Sequence, residues 1–210
     1  MPFTINLSKI NVIPNFVFKK FFQSSTIRLK RLSNKERFEI QLEDKLKQIL
    51  IGTILGDAYI RRFSNKSNTR IVFRQGLKNA EYLNHLYLLF QNYVLALPIK
   101  SIIVNKKTKL PRYNLSFATM SLPCFNEFFE LFYLNGVKIV PKNIYNFLTP
   151  ISLAYWIMGD GNYTGNGLKL NTNAFKVEEV FLLIDALEKN FSLKASINKT
   201  SIKDQFTIYT

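Results

Sequence analysis

Apolar and polar positions along the chain fall into two stretches built to one plan. Residues 50–60, LIGTILGDAYI, and 153–163, LAYWIMGDGNY, each hold an apolar run of about two helical turns. Each run ends in Gly-Asp and passes into a residue suited to starting a strand. After the first, residues 71–73 predict a strand, and residues 79–95 predict a helix with Tyr82, Leu83, Leu86, Leu89, Phe90, Tyr93 and Val94 on one face. After the second, residues 168–170 predict a strand, and Val177, Val180, Phe181, Ile184 and Leu187 mark one face of a helix beginning near Lys176. Residues 102–119 and 195–210 then alternate apolar and polar positions around a basic turn, as hairpins do. The first stretch continues into a helix over 122–134, with Phe125, Phe128, Phe129 and Phe132 on its apolar face; the second stops at Thr210 before any such helix. Pro141 and Pro150 bound a linker, residues 141–150, because proline restricts its predecessor and cannot continue a helix interior. The expected organisation is an N-terminal extension, 1–40, a first unit, 41–140, the linker, and a second, incomplete unit, 151–210.

The repeat gives meaning to two acids. Asp57 and Asp160 each sit at a helix C-terminus, where the negative end of the macrodipole disfavours a carboxylate by about 0.3–1 kcal/mol when exposed. If the two helices pack about a pseudo-two-fold axis, the acids converge and repel unless a divalent cation lies between them. Hard oxygen ligands suit Mg²⁺, which keeps waters and accepts phosphate oxygens. Gly52 and Gly56 form a small-x-x-x-small pair that permits close backbone approach. Gly56 and Gly159 match each other, whereas Tyr155 stands at the position equivalent to Gly52, so the case for close approach is weaker at that level. Two metal-bound carboxylates beside a phosphodiester can activate a water and stabilise the leaving oxygen.

Charge narrows the partner. The 210 residues carry 29 Lys+Arg against 14 Asp+Glu, a formal +15, which suits a nucleic acid or an anionic membrane. No stretch approaches the ~18–20 uninterrupted apolar residues of a spanning helix, so no membrane partner is expected. Cys124 is the one cysteine and His85 the one histidine, which excludes an internal disulfide and a Cys/His zinc site. His85 reads as a partly buried helix residue; Cys124 and Trp156 read as core. Residues 1–35 are basic, with Ser and Phe interspersed, and read as a transit peptide, as an arm that tracks phosphates, or as an extension of the reading frame without a role. The abundance of Asn, Lys, Ile and Phe suits an AT-rich organelle genome.

Strand alternation brings every second hairpin residue to one surface. The DNA-binding candidates are Arg61, Arg62, Arg70, Arg74, Gln75, Lys107, Lys109, Arg112, Lys169, Asn171 and Lys199. Arginine reads guanine, Asn and Gln read adenine, and lysines mostly meet phosphate.

Residues 50–58 and 153–161, together with NFLTPISLAYWIMGDG over 146–161, resemble the paired signature of the LAGLIDADG homing endonucleases. The likeness is to the single-chain, two-motif branch encoded in organelle introns and runs from about residue 41 to 210. It implies an α+β fold of two pseudo-symmetric αββαββα units, with paired motif helices and eight strands over the major groove. The second unit is read as truncated at its C-terminal end. It also implies a monomeric, site-specific double-stranded DNA endonuclease in a mitochondrion or, alternatively, a chloroplast. Asp57 and Asp160 are the implied catalytic acids, and the metal site comprises these with Gly56 and Gly159, taking Mg²⁺ or Mn²⁺. Lys138 is the implied lysine near a scissile phosphate. Some members assist splicing of their host intron, so intron RNA is a second expected partner, and a DNA-binding relative without catalysis is a third reading.

Overall fold

A computed structural model describes residues 32–210 apart from residues 65, 106, 107 and 166. The transit-peptide or arm reading of residues 1–35 falls almost wholly outside the described residues. Near their edge, Ser33 and Glu36 form a reciprocal capping box that starts helix α1 (Asn34–Glu39).

Helix α2 (Asp44–Leu55) leads into β1 (Tyr59–Arg61), β2 (Arg70–Gly76), α3 (Ala80–Phe90), β3 (Ile99–Val104), β4 (Pro111–Ala118) and α4 (Asn126–Phe132). A small hairpin follows, β5 (Tyr133–Leu134) and β6 (Val137–Lys138). The second copy runs α5 (Pro150–Asp160), β7 (Gly161–Tyr163), β8 (Leu168–Asn171), α6 (Val177–Phe191), β9 (Ser196–Lys199) and β10 (Phe206–Tyr209). Both four-stranded antiparallel sheets have the same order, β1-β2-β4-β3 and β7-β8-β10-β9. Their registers correspond: Phe73 faces Phe117 in one sheet as Leu170 faces Ile208 in the other. The Thr119 amide donates to the Ile71 carbonyl (3.0 Å) as the Thr210 amide does to that of Leu168 (2.9 Å). The fold is the expected α+β repeat.

Each sheet lays one face on a helix. Phe73 stacks on Phe117 at 4.7 Å and meets Phe90 of α3 at 5.1 Å, while Leu170 and Ile208 are buried with Val180, Leu183 and Leu187 of α6. The α6 stripe is turned by about one position from expectation. Leu183 takes the centre and Phe181 is left 51% exposed, since apolar residues at 180–184 leave more than one helical face open to choice. The stretch between the copies is fastened rather than loose. Asn190 Nδ2 donates to the carbonyls of Tyr145 (2.6 Å) and Leu148 (2.8 Å), and the Glu179 carboxylate accepts from the amides of Val140 (3.2 Å) and Lys176 (2.7 Å).

The motif helices meet backbone to backbone. Ile49 through Leu55 are all buried in α2, because core lies on one side and α5 on the other. In α5, Thr149 caps the first turn, Pro150 occupies N1, and the Thr149 hydroxyl donates to Gln48 Oε1 of the partner helix (2.7 Å). A Cβ on Gly52 would lie 2.1 Å from the Ser152 carbonyl oxygen, so only glycine fits. The close approach expected from Gly52 is present even though its sequence equivalent is Tyr155. Helices related by a two-fold axis cross, so Gly52 meets Ser152, one turn before its sequence equivalent. Tyr155 points instead to α3, where its hydroxyl sits 2.8 Å from Nε2 of His85. His85 is exposed rather than partly buried, its ring stacked on Tyr155; Cys124 packs half-buried against the core, and Trp156 is fully buried. Among the described residues, no helix is long and apolar enough to cross a membrane.

Gly52→Ala is therefore expected to cost about 3 kcal/mol or more, at or above the upper end of ordinary overpacking. Gly159→Ala, whose Cβ would find its nearest neighbours at 3.6–3.7 Å, should cost far less. Urea unfolding of the two variants checks this; equal stabilities would contradict the packing described.

Candidate active site and nucleic-acid interface

Helix packing delivers the two acids to one place. Gly56 ends α2 and Asp160 ends α5. A Cβ on Gly56 would stand 3.6 Å from the Gly159 Cα and 3.7 Å from Asp160 Oδ2, and one on Gly159 would stand 3.6 Å from the Asp57 amide nitrogen. Each acid thus lies against the backbone of the opposite motif. Asp57 keeps an exposed edge, while Asp160 is half-buried. Loss of water pushes both carboxyls up, and for Asp160 the neighbouring Asp57 charge adds to the effect, bringing it to about 7.

Three side chains attend the acids. Gln75 Nε2 donates to Asp57 Oδ2 (2.7 Å), and Asn79 Nδ2 in turn donates to Gln75 Oε1 (3.1 Å), fixing which end of the amide faces the carboxylate. Lys138 Nζ donates to the Gly56 carbonyl (3.0 Å) and lies over the Phe175 ring at 5.3 Å. Burial lowers this ammonium to about 8, against the pull of Asp160 and Asp57 toward the charged form. Tyr82, absent from the sequence candidates, faces the same cleft; burial, then Tyr155, Asp57 and Asp160, hold its phenol well above its ordinary value. Its hydroxyl donates to the Tyr155 carbonyl (3.3 Å).

Lys138 owes its place to a hairpin that hydropathy reading passed over. Asn135 (φ 51°) and Gly136 (φ 76°) both take left-handed backbone, the geometry of a two-residue type I′ turn. The Asn-Gly pair in LNGV signals such a turn. Tyr133 then pairs with Lys138, and the Ile60 amide donates to the Tyr133 hydroxyl (3.2 Å), tying the hairpin to β1 directly after Asp57.

The donor set suits a hard cation. Among the described residues, no group of three or more His, Cys, Asp or Glu side chains gathers. A cation between Asp57 and Asp160 would complete its shell from backbone carbonyls, water and substrate oxygens, as Mg²⁺ does readily. The Gly56 carbonyl already accepts from Lys138 and would have to share its lone pairs.

Strand register sorts the basic candidates. Ile71 and Phe73 point into the core, so Arg70 and Arg74 point away from it, as do Arg61, paired with Arg70, and Arg112, which shares its alternation with Asn114 and Ser116. In the second sheet Lys169 and Asn171 alternate with buried Leu170 and face outward too. Asn171 also anchors the acid beside it, its amide donating to the Asp160 carbonyl (3.0 Å). Lys109 is exposed at the β3–β4 turn, and Lys107 lies outside the described residues.

Three candidates are corrected. Gln75 has the parity of Phe73, is 5% exposed, and turns to Asp57 rather than to the open face. Arg62 has the parity of buried Ile60; it donates to the Ser67 carbonyl (2.9 Å), pairs with Glu130 and covers the Phe129 ring, pinning the β1–β2 loop to α4. Lys199 pairs with Phe206, on the helix-covered side of its sheet. Tyr59, Asn114, Ser116, Asn162 and Asn198 have outward register and are absent from the sequence candidates, because a neutral polar or aromatic residue on a strand carries no mark of which face it takes until the register is known.

Comparison with known proteins agrees with this arrangement. Residues 47–210 match the model of the LAGLIDADG DNA endonuclease family. The chain is 34% identical over 175 residues to a cytochrome b mRNA maturase bI2 of Debaryomyces hansenii, and 35% identical over 171 residues to one of Saccharomyces cerevisiae. These alignments take in 82% and 77% of this chain but 66% and 40% of the relatives, so the chain spans roughly two-thirds and two-fifths of their lengths. The homing endonuclease I-WcaI bound to its DNA recognition sequence superposes with a TM-score of 0.76 at 29% identity, covering 86% of this chain and 84% of that one. A repeated αββαββ plan, motif helices in backbone contact, and an acid closing each helix are thus joined by a family match over most of the chain, which belongs to the LAGLIDADG DNA endonuclease family.

Proposed function

We propose that the protein is a site-specific double-stranded DNA endonuclease that hydrolyses phosphodiester bonds with Asp57 and Asp160. The observation that carries this reading is the convergence of the two motif ends, with the Asp160 carboxyl beside Gly56, the Asp57 backbone beside Gly159, and Lys138 donating to the Gly56 carbonyl between them. Asp57 and Asp160 would hold the cation, Mg²⁺ or Mn²⁺, and orient water and substrate against it. When bound, the cation would polarise a phosphoryl oxygen and lower the pKa of a water. Gln75 orients the Asp57 carboxylate by donating to its Oδ2. Lys138 offsets charge that develops on the phosphate. The outward sheet faces, with Arg61, Arg70, Arg74, Arg112 and Lys169, supply the duplex-binding surface, and the chain acts as a monomer because both motifs lie within it. The bI2 maturases favour a second reading, assistance of intron splicing through RNA, and with it expression in a mitochondrion.

Cleavage of a target selected from a randomised duplex library should require magnesium. It should fall by roughly 10³ or more in Asp57→Asn and in Asp160→Asn, and by roughly 10² in Lys138→Met. Cleavage that survives both aspartate substitutions would contradict the mechanism. Intron-RNA binding that survives them, with no cleavage by the parent, would instead favour the splicing role.

Stability should carry the signature of the site. Asp160 titrates near 7 in the folded chain against an ordinary 3.8, so the folded state binds more protons between those values. Stability of the metal-free protein should accordingly fall as pH rises through that window, with Asp57 acting in the same direction. Lys138, near 8 rather than 10.5, should return stability as pH climbs from 8 toward 10.5. Magnesium should raise the unfolding midpoint at pH 8 in the parent and not in the double Asn variant, as a ligand of the folded state does. Thermal melts across pH, with and without magnesium, check both statements; a flat profile or equal magnesium shifts would contradict them.

A further inference from the structure

Arg61 and Arg70 are directly opposed on neighbouring strands, and like charges so placed repel. Among the described residues no carboxylate pairs with either. Instead both share one ring: the guanidinium carbons lie 5.6 Å and 4.8 Å from the centroid of Phe63, a residue left 67% exposed beyond the end of β1. Arg70 Nε is buried without a hydrogen-bond partner. An aromatic ring that engages the faces of two guanidiniums leaves their N–H edges to act as donors, and it restricts two otherwise flexible side chains. The neighbouring residues Arg74 and Tyr59 make a further cation–π contact, at 5.8 Å, on the same outward face.

We infer that Phe63 is a positioning residue for sequence recognition: it holds Arg61 and Arg70 as a preset pair on the outward face, whose terminal Nη–H groups read the major-groove edge of guanine in the target. The inference rests on the DNA-binding reading above. Guanine presents O6 and N7 as adjacent acceptors, to which arginine binds in a bidentate manner, and a favourable pair of this kind discriminates against the wrong base by roughly 5- to 150-fold. A phosphate would accept from the same edges; the two sources differ in what they do to specificity. Loss of a guanine contact flattens preference at one base pair. Loss of a phosphate contact weakens all sequences alike and lowers the salt dependence.

The test uses the full chain and duplexes selected from a randomised library in calcium. Affinity is then measured for each single-base variant, at several salt concentrations, for the parent, Phe63→Leu, Arg61→Gln and Arg70→Gln, with melting curves to show that each variant folds. A duplex with 7-deazaguanine at the preferred guanine removes N7 alone. The expected result is a guanine preference in the parent that falls about tenfold in Phe63→Leu with no change in salt slope, is lost in at least one arginine variant, and is weakened by 7-deazaguanine. Phe63→Leu that folds and keeps the full preference would overturn the inference, as would a uniform loss across all sequences with a reduced salt slope. Failure of the parent to select any duplex would overturn the DNA reading and this inference with it, and that outcome is distinct from the other two.

Discussion

Two helices, α2 and α5, touch through their backbones, and both the shared core and the position of the acids follow from that contact. Gly52 lies against the Ser152 carbonyl and Gly56 against Gly159, so the helices have no side-chain layer between them at these levels. That closeness does two things. It lets two half-size sheets share one continuous core, which neither copy of the repeat would build alone. It also brings the C-terminal ends of the two helices together, where Asp57 follows one and Asp160 closes the other. A pair of helices separated by ordinary side chains, 8–10 Å or so apart, would carry the same acids too far from each other to act on one site.

The site is costly in the absence of a counter-charge. Two carboxyls lose water and stand in each other's field, at helix ends whose dipoles also disfavour them, and a lysine beside them loses part of its affinity for its proton. Gln75 and Asn171 hold parts of this arrangement in place, one through the Asp57 carboxylate and the other through the Asp160 carbonyl. The asymmetry is physical. Asp57 has a side-chain amide on its carboxylate, whereas Asp160 carries the stronger upward push. Interactions away from the site offset the cost, among them the Thr149 cap, the Glu179 and Asn190 clamps on the connection, and the aromatic cluster around Phe73. Such unfavourable charge is expected where a protein is built to bind a cation and a polyanion.

Much of this was legible in the residues themselves. The duplicated apolar run ending in Gly-Asp pointed to the repeat, the helix pairing and both acids, because two runs of equal length with the same terminal pair and the same downstream pattern do not arise by composition alone. What escaped was whatever depends on crossing geometry or register. Gly52 meets Ser152 rather than its sequence equivalent because paired helices cross, and no alignment of one copy on the other reveals that. Gln75, Arg62 and Lys199 were grouped with the outward residues because their chemistry suited DNA, yet strand parity turns each of them away from the open face. The β5–β6 hairpin was readable in Asn135-Gly136, but its first strand, Tyr133–Leu134, was absorbed into the end of the helix expected over 122–134. Phe63 had no signal at all: an exposed aromatic in a polar turn acquires meaning only when two arginines from different strands are seen on its ring.

Whether Asp57 and Asp160 share one site can be read from a double-mutant cycle on stability. Unfolding free energies of the parent, Asp57→Asn, Asp160→Asn and the double variant are measured without metal at pH 8. Adjacent carboxylates predict that each single substitution stabilises the chain and that the double gains less than the sum, because removing one charge already relieves the other. Effects that add within about 0.3–0.5 kcal/mol would mean that the two acids do not sense each other, and the account would be wrong.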